Sequence, residues 1–190
     1  HDPYPVGVMG NLHHEGFMFS IKHGQMAMEG NIFDGDNISS ADILKMPNPL
    51  GNMPSNLSVV PEYMDMCMTM IDGMYAYSNN VTFMLMGTFI SKDMKLNTYT
   101  PMMNRDLLGK FNTSSSDLSE LTFSTLFKIG EQGTSKWHGE IAYQKSVGST
   151  NQKDTVLTPM NMRMEMVLPY GMQSGDGSSR LILGLTNTTK

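Results

Sequence analysis

The chain has 190 residues, with 13 basic against 18 acidic side chains and a net charge of −5, and only 8% of its residues are aromatic. That length holds one domain with a sizeable core, and an acidic balance without any basic run excludes a nucleic-acid surface. A single cysteine, Cys67, excludes an internal disulfide framework, and no apolar run approaches the ~20 residues of a spanning helix, so the chain either stays in water or crosses a bilayer as strands.

The chain opens on His1 rather than on an initiator methionine, and a secretory signal peptide cut before HDPYP would give this start. From there period two dominates and period 3.6 is nearly absent. FMFSIKHGQMAME (17–29) reads as a strand running into the turn-rich GNIFDGDN, whose DGDN lacks the glutamate and spacing of a calcium loop and is a plain turn. SSADILKM predicts a short helical turn capped by Ser39 or Ser40, with Asp42 in its first turn. Residues 47–61 carry four prolines and are expected as an irregular loop. EYMDMCMTMIDGMYAY (62–77) places a methionine at nearly every second position. A turn at SNN (78–80) joins this comb to VTFMLMGTFISKDMKL as a hairpin.

The polar stretch at about 97–117 is expected as a surface loop. In LSELTFSTLFKI (118–129), Leu121, Phe123, Phe127 and Ile129 share one face, and Glu120, Thr122, Ser124 and Lys128 share the other. In KWHGEIAYQKSV (136–147), Trp137, Ile141, Tyr143 and Val147 oppose His138, Glu140 and Gln144. MNMRMEMVLPY (160–170) repeats the comb, with Met160, Met162, Met164 and Met166 against Asn161, Arg163 and Glu165. SRLILGLTNTT (179–189) sets Leu181, Leu183 and Leu185 opposite Arg180 and Thr186. Roughly seven long, half-polar strands make an all-β antiparallel domain. Alternation alone does not say whether its polar faces look outward, as in a soluble sandwich, or inward, as in a membrane barrel.

PVGVMGNLHHEGFMFSIKHGQMAMEGNIFDGDNIS, the comb with its hairpin, SSSDLSELTFSTLFKI and DTVLTPMNMRMEMVLPYGMQSGDGSSRLILGLT together resemble, in order, the bacterial outer-membrane β-barrel proteins labelled "transporter" or phenol-degradation meta-pathway proteins. That family opens with a similar GVMGDH box, carries Met-x-Met-Asp-Met combs and has a TPMGMRM segment. The resemblance implies an up-and-down barrel in the cell outer membrane, and the stop at LTNTTK, without a final aromatic residue, implies the front portion of a longer one. The expected activity is passage or retention of small solutes without catalysis. The expected partners are the lipid bilayer and small solutes, and an oligomer is left open.

Within that frame Glu120, Lys128, Glu140, Arg163 and Glu165 are expected to face the lumen. The methionines are expected to face lipid, because the phase between them holds Asp65, Cys67 and Thr69 in one comb and Asn161, Arg163 and Glu165 in the other. The alternative is a soft-metal binding protein, since thioethers suit Cu(I). Its candidate ligands are His1, His13, His14, His23, Met64, Met66, Cys67, Met68 and Met70. Neighbours within one comb sit ~6.6–6.8 Å apart, so an ion would need methionines from adjacent strands. No cofactor beyond copper is implied. A structural β-subunit pairing through open sheet edges is a third reading. Catalysis lacks a motif: there is no Gly-x-Ser-x-Gly elbow, no phosphate loop and no zinc helix, and Asp65 and Asp72 fall on opposite faces of one strand.

Overall fold

A computed structural model describes residues 16–49, 54–101 and 105–189. In chain order the elements are β1 (Gly16–Glu29), β2 (Asn31–Phe33), β3 (Asp36–Ile38), α1 (Ser40–Ile43), β4 (Val59–Ser78), β5 (Val81–Tyr99), β6 (Leu107–Gln132), β7 (Ser135–Ser146), β8 (Lys153–Leu157), β9 (Arg163–Val167) and β10 (Ser179–Thr189). Six of them form one antiparallel meander in the order β1-β4-β5-β6-β7-β10, while β2 with β3 and β8 with β9 make separate two-stranded ribbons. The fold is all-β and antiparallel. Among the described residues β1 and β10 are edges of the sheet and do not pair with each other.

The local structure follows from short-range chemistry. Asn79 and Asn80 make the two-residue turn between β4 and β5, and Gly133 with Thr134 makes the one between β6 and β7, where the left-handed φ of +61° suits glycine. The backbone N–H of Asp42 donates to Ser39 Oγ at 3.3 Å, which makes Ser39 the cap of α1. Lys45 on the next turn draws the exposed Asp42 carboxyl below its ordinary pKa.

The two ends of the sheet differ. At one, here the lower end, strands are joined by two-residue turns; at the upper end they are joined by the excursions 30–58, 100–106 and 147–178. The Arg105 guanidinium clamps the first two excursions together. It donates to the carbonyls of Leu44 and of Leu57 (2.6 Å), to Ser58 Oγ (2.9 Å) and to the carbonyl of Thr100 (3.1 Å). The third folds back against the upper part of the sheet. There Leu157 packs with Leu96 and Phe111, Thr98 Oγ1 donates to the Leu157 carbonyl (2.8 Å), and Lys92 Nζ donates to the carbonyls of Gly171 (2.9 Å) and Gln173 (2.7 Å).

The surface loop expected at 97–117 is instead mostly strand: β5 continues to Tyr99 and β6 begins at Leu107, leaving 100–106 as the connection. In that part of β6, Phe111, Thr113 and Ser115 are buried and Asn112, Ser114 and Ser116 exposed. Both phases are mostly polar, so the alternation is of burial, not of hydropathy, and a hydropathy pattern cannot show it. The second comb also lies elsewhere than expected. Its strand core is β9, paired only with β8, and Met160, Met162, Met164 and Met166 are all exposed.

Burial in the six-stranded sheet is inverted relative to a soluble sandwich. Phe17, Phe19, Ile21 and Leu183 are exposed by 73, 77, 73 and 72%, while Thr82 and Ser124 are at 0% and Asp72 and His138 at 2%. Among the described residues the other strands form only the two-stranded ribbons β2–β3 and β8–β9, and the six-stranded sheet carries bulges at Thr88/Phe89 and Lys128/Gly130, which strengthen the twist of a sheet.

Candidate functional site

Because directly opposed residues share a face, the strand registers map the shielded face row by row. One row is Met18, Met74, Met84, Ser124, Ala142 and Ile182, closely packed at its centre. Above it come Ser20, Asp72, Met86, Thr122, Gln144 and Arg180, then Lys22, Met70, Thr88, Glu120 and Ser146. Higher still, β1, β4, β5 and β6 contribute Met26, Met66, Lys92 and Ser115, and finally Met28, Met64, Met94 and Thr113. The shielded face is therefore charged and hydroxylated across its middle and rich in thioethers on β1, β4 and β5.

Polar contacts tie the middle rows together. Ser20 Oγ donates to Asp72 Oδ1 at 3.3 Å and Ser124 Oγ to Glu140 Oε1 at 2.8 Å. Arg180 on β10 pairs with Asp176 and reaches Gln144 Oε1 at 3.4 Å. The exposed Asp176 carboxyl is held below its ordinary pKa, first by the backbone N–H of Ser178 and then by the Ser178 hydroxyl, with Arg180 adding to the effect. Four buried polar atoms on this face, Asp72 Oδ2, Thr113 Oγ1, Ser115 Oγ and Thr122 Oγ1, have no protein partner. Each such group costs about 1–3 kcal/mol unless water or a polar solute supplies the bond.

The opposite, bare face is a band of apolar side chains whose upper limit steps from strand to strand, reaching highest on β5 and β6. Its rows include Phe19, Gly73, Leu85, Phe123, Tyr143 and Leu181, and below them Phe17, Tyr75, Phe83, Thr125, Ile141 and Leu183. The rings of Phe17 and Tyr75 stack at 4.6 Å. The uppermost apolar side chains, Phe89 and Leu118, share a row with His23 and Thr69, and one row lower Ile21, Ile71 and Leu121 share theirs with Lys145. Immediately above Phe89 and Leu118 the same face turns polar, with Gln25, Cys67, Ser91 and Ser116 in one row and Ala27, Asp65, Asp93 and Ser114 in the next. Five rows, from Phe127, Gly139 and Leu185 up to Phe89 and Leu118, span roughly 27 Å along the strands, or about 20 Å if the strands tilt by ~40°.

No family model, curated protein or solved structure matches this chain.

The residues singled out from sequence separate into groups on this map. Glu120 and Glu140 sit on the shielded face, opposite Thr88 and Leu126. Lys128 shares that face opposite His138 and bonds Glu131 at 2.5 Å. Arg163 and Glu165 do not belong to the six-stranded sheet. Both lie on β9, and Arg163 rims a pocket of about 340 Å³ against Lys110, Phe111 and Asp154.

The expected outward orientation of the first comb is corrected. Met64, Met66, Met68 and Met70 lie on the shielded face with Asp72, and Asp65, Cys67 and Thr69 on the other. β4 keeps one phase from Tyr63 to Ala76, so Ile71 and Tyr75, which belong to the apolar band below, dictate where the whole comb points. The nine candidate metal ligands are therefore not one set. His23, whose Nδ1 lies 2.9 Å from Thr69 Oγ1, and half-buried Cys67 are on the opposite face from the four methionines, and His1, His13 and His14 lie outside the described residues.

Among the described residues no group of three or more His, Cys, Asp and Glu side chains could hold a metal ion. Sequence reading missed Lys22, Lys92 and the methionines of β1 and β5 as neighbours of the comb. Their parity was visible, but the register that aligns them across strands was not.

Proposed function

We propose that the chain is part of the wall of an outer-membrane β-barrel, with the shielded face toward an aqueous interior and the bare face toward lipid, and that it passes or retains small solutes without catalysis. The observation that carries this reading is the inversion of burial: Asp72, Thr82, Ser124 and His138 are buried and Lys22, Glu120 and Glu140 half-buried on one face, while a band of Phe, Leu, Ile and Tyr is bare on the other. In water so large an apolar surface is an association hazard, whereas in hydrocarbon it is the face that needs no partner. Two further features support the reading. Short turns at one end and long excursions at the other match the asymmetry of outer-membrane barrels, and a band of about 20 Å approaches their ~25 Å apolar height. The sequence resemblance to the outer-membrane family points the same way.

On this reading, Glu120 and Glu140 bias the interior toward cations. Reconstituted in a planar bilayer, the chain is expected to conduct. Glu120→Lys/Glu140→Lys is expected to move the reversal potential toward anions under a salt gradient. An unchanged reversal potential would remove these two side chains from the water path, and absence of insertion would refute the barrel.

A further inference from the structure

Methionine is distributed between the two faces in a way that apolar filling does not account for. On β1, β4 and β5 the shielded face carries eleven methionines: Met18, Met26 and Met28, then Met64, Met66, Met68, Met70 and Met74, then Met84, Met86 and Met94. The bare face of the same three strands carries none; its large apolar positions are Phe17, Phe19, Ile21, Ile71, Tyr75, Phe83, Leu85 and Phe89. A residue chosen only for hydrophobicity would appear on the face where hydrophobicity is used. Here it is confined to the face that also holds Lys22, Asp72 and Thr88, where the property that sets it apart from leucine is its sulfur.

The rows differ in what they offer. Met18, Met74 and Met84 are packed shut against Leu126, with Met74 at 1% exposure, and serve as core. The row of Met26 and Met66 takes Lys92 as its third member, whose ammonium disfavours a cation. Met28, Met64 and Met94 form the other row in which β1, β4 and β5 all present thioethers. It lies on the open upper stretch, where Met28 is 39% exposed and Met94 packs at the edge of the Leu96–Phe111–Leu157 cluster.

Directly opposed Cβ atoms lie ~4.5–5.5 Å apart, and the outer two strands of three are separated by roughly 10 Å. Three rotatable bonds per side chain let the flanking sulfurs converge beside Met64. Thioethers are neutral soft donors, which favour Cu(I) and Ag(I) over Zn(II) or Ca(II), and they bind without losing a proton.

We propose that Met28, Met64 and Met94 form a three-thioether site for a soft monovalent cation, Cu(I) or Ag(I). The site names a solute class for the proposed barrel and rests on that reading for its role in passage or retention, though not for binding itself.

The test uses the full chain in detergent, in a Cys67→Ser background that removes the one thiol, titrated with silver nitrate in chloride-free buffer. Two triple variants are compared after circular dichroism has confirmed the fold: Met28→Leu/Met64→Leu/Met94→Leu in the open row, and Met18→Leu/Met74→Leu/Met84→Leu in the packed one. The Cys67→Ser parent and the packed-row variant are expected to bind one Ag(I) with sulfur neighbours in X-ray absorption, and the open-row variant to bind at least about a hundredfold more weakly. Where a triple variant does not fold, Met64→Leu alone is expected to weaken binding by about tenfold. Equal affinity in the open-row variant or, in its place, in Met64→Leu, equal loss in both triple variants, or no silver binding by the parent would overturn the site. Bilayer conductance is read separately, so a chain that binds silver without conducting sinks the barrel and not the site, and one that conducts without binding does the reverse.

Discussion

The lower and upper halves of β4, β5 and β6 are the same strands in the same sheet, yet their bare faces are built for different surroundings. Below the level of Phe89 and Leu118 the bare face is aromatic and aliphatic; above it come Cys67, Ser91 and Ser116, then Asp65, Asp93 and Ser114. The shielded face differs too. In the lower half Thr82, Ser124 and His138 are buried on the face that packs Met74, Met84 and Leu126, whereas in the upper half Leu157 from the folded-back excursion covers Leu96 and Phe111. A sheet that changes the chemistry of one face within about one row on β4, β5 and β6 is matched to a boundary in its environment, not to a partner strand.

The largest effect that would break this comparison comes from placing a charge on each side of the boundary. Leu85→Lys, within the band, is expected to cost about 2–4 kcal/mol in urea unfolding from lipid vesicles, and Ser91→Lys, above it, about 0–1 kcal/mol. Equal costs would erase the boundary. In water alone Leu85→Lys, at a site already 57% exposed, would cost little.

A smaller effect sharpens the account of the upper end. The Asp176 pKa is depressed in the folded chain by its bonds from Ser178 and by Arg180, so its contribution to stability is present above the ordinary carboxylate pKa and is lost as pH falls through the lower folded value. Asp176→Asn is expected to flatten the acid limb of stability slightly, read as converging unfolding midpoints for variant and parent at low pH. Parallel curves would show that the Ser178 and Arg180 contacts do not favour the charged form.

Much of the sheet was legible in the sequence because its signal is local. Leu121 and Phe123 against Thr122 and Ser124, Ile141 and Tyr143 against His138 and Glu140, and Leu181 to Leu185 against Arg180 all fall on the faces that alternation assigns, and Ser39 caps α1 as its position suggests. The failures were non-local. The upper part of β6 is a strand because Phe111, Thr113 and Ser115 are covered, and its polar composition hid that.

The orientation of the comb is not legible locally, because Asp65 and Cys67 share the phase of Ile71 and Tyr75 farther down β4 but not their surroundings. Cross-strand register placed Met28 and Met94 beside Met64, and no pattern within one strand reveals a register. Arg163 and Glu165 share one phase of their strand, which suggests a common wall, but among the described residues β9 pairs only with β8.

The orientation of the two faces is tested most directly by fluorescence of single labelled cysteines at positions 121 to 124 in a Cys67→Ser chain, folded into vesicles containing brominated lipid. The account predicts quenching by the lipid at Leu121→Cys and Phe123→Cys and protection at Thr122→Cys and Ser124→Cys, with a water-soluble quencher giving the opposite pattern. Quenching that does not alternate, or that alternates with the phase reversed, would contradict it.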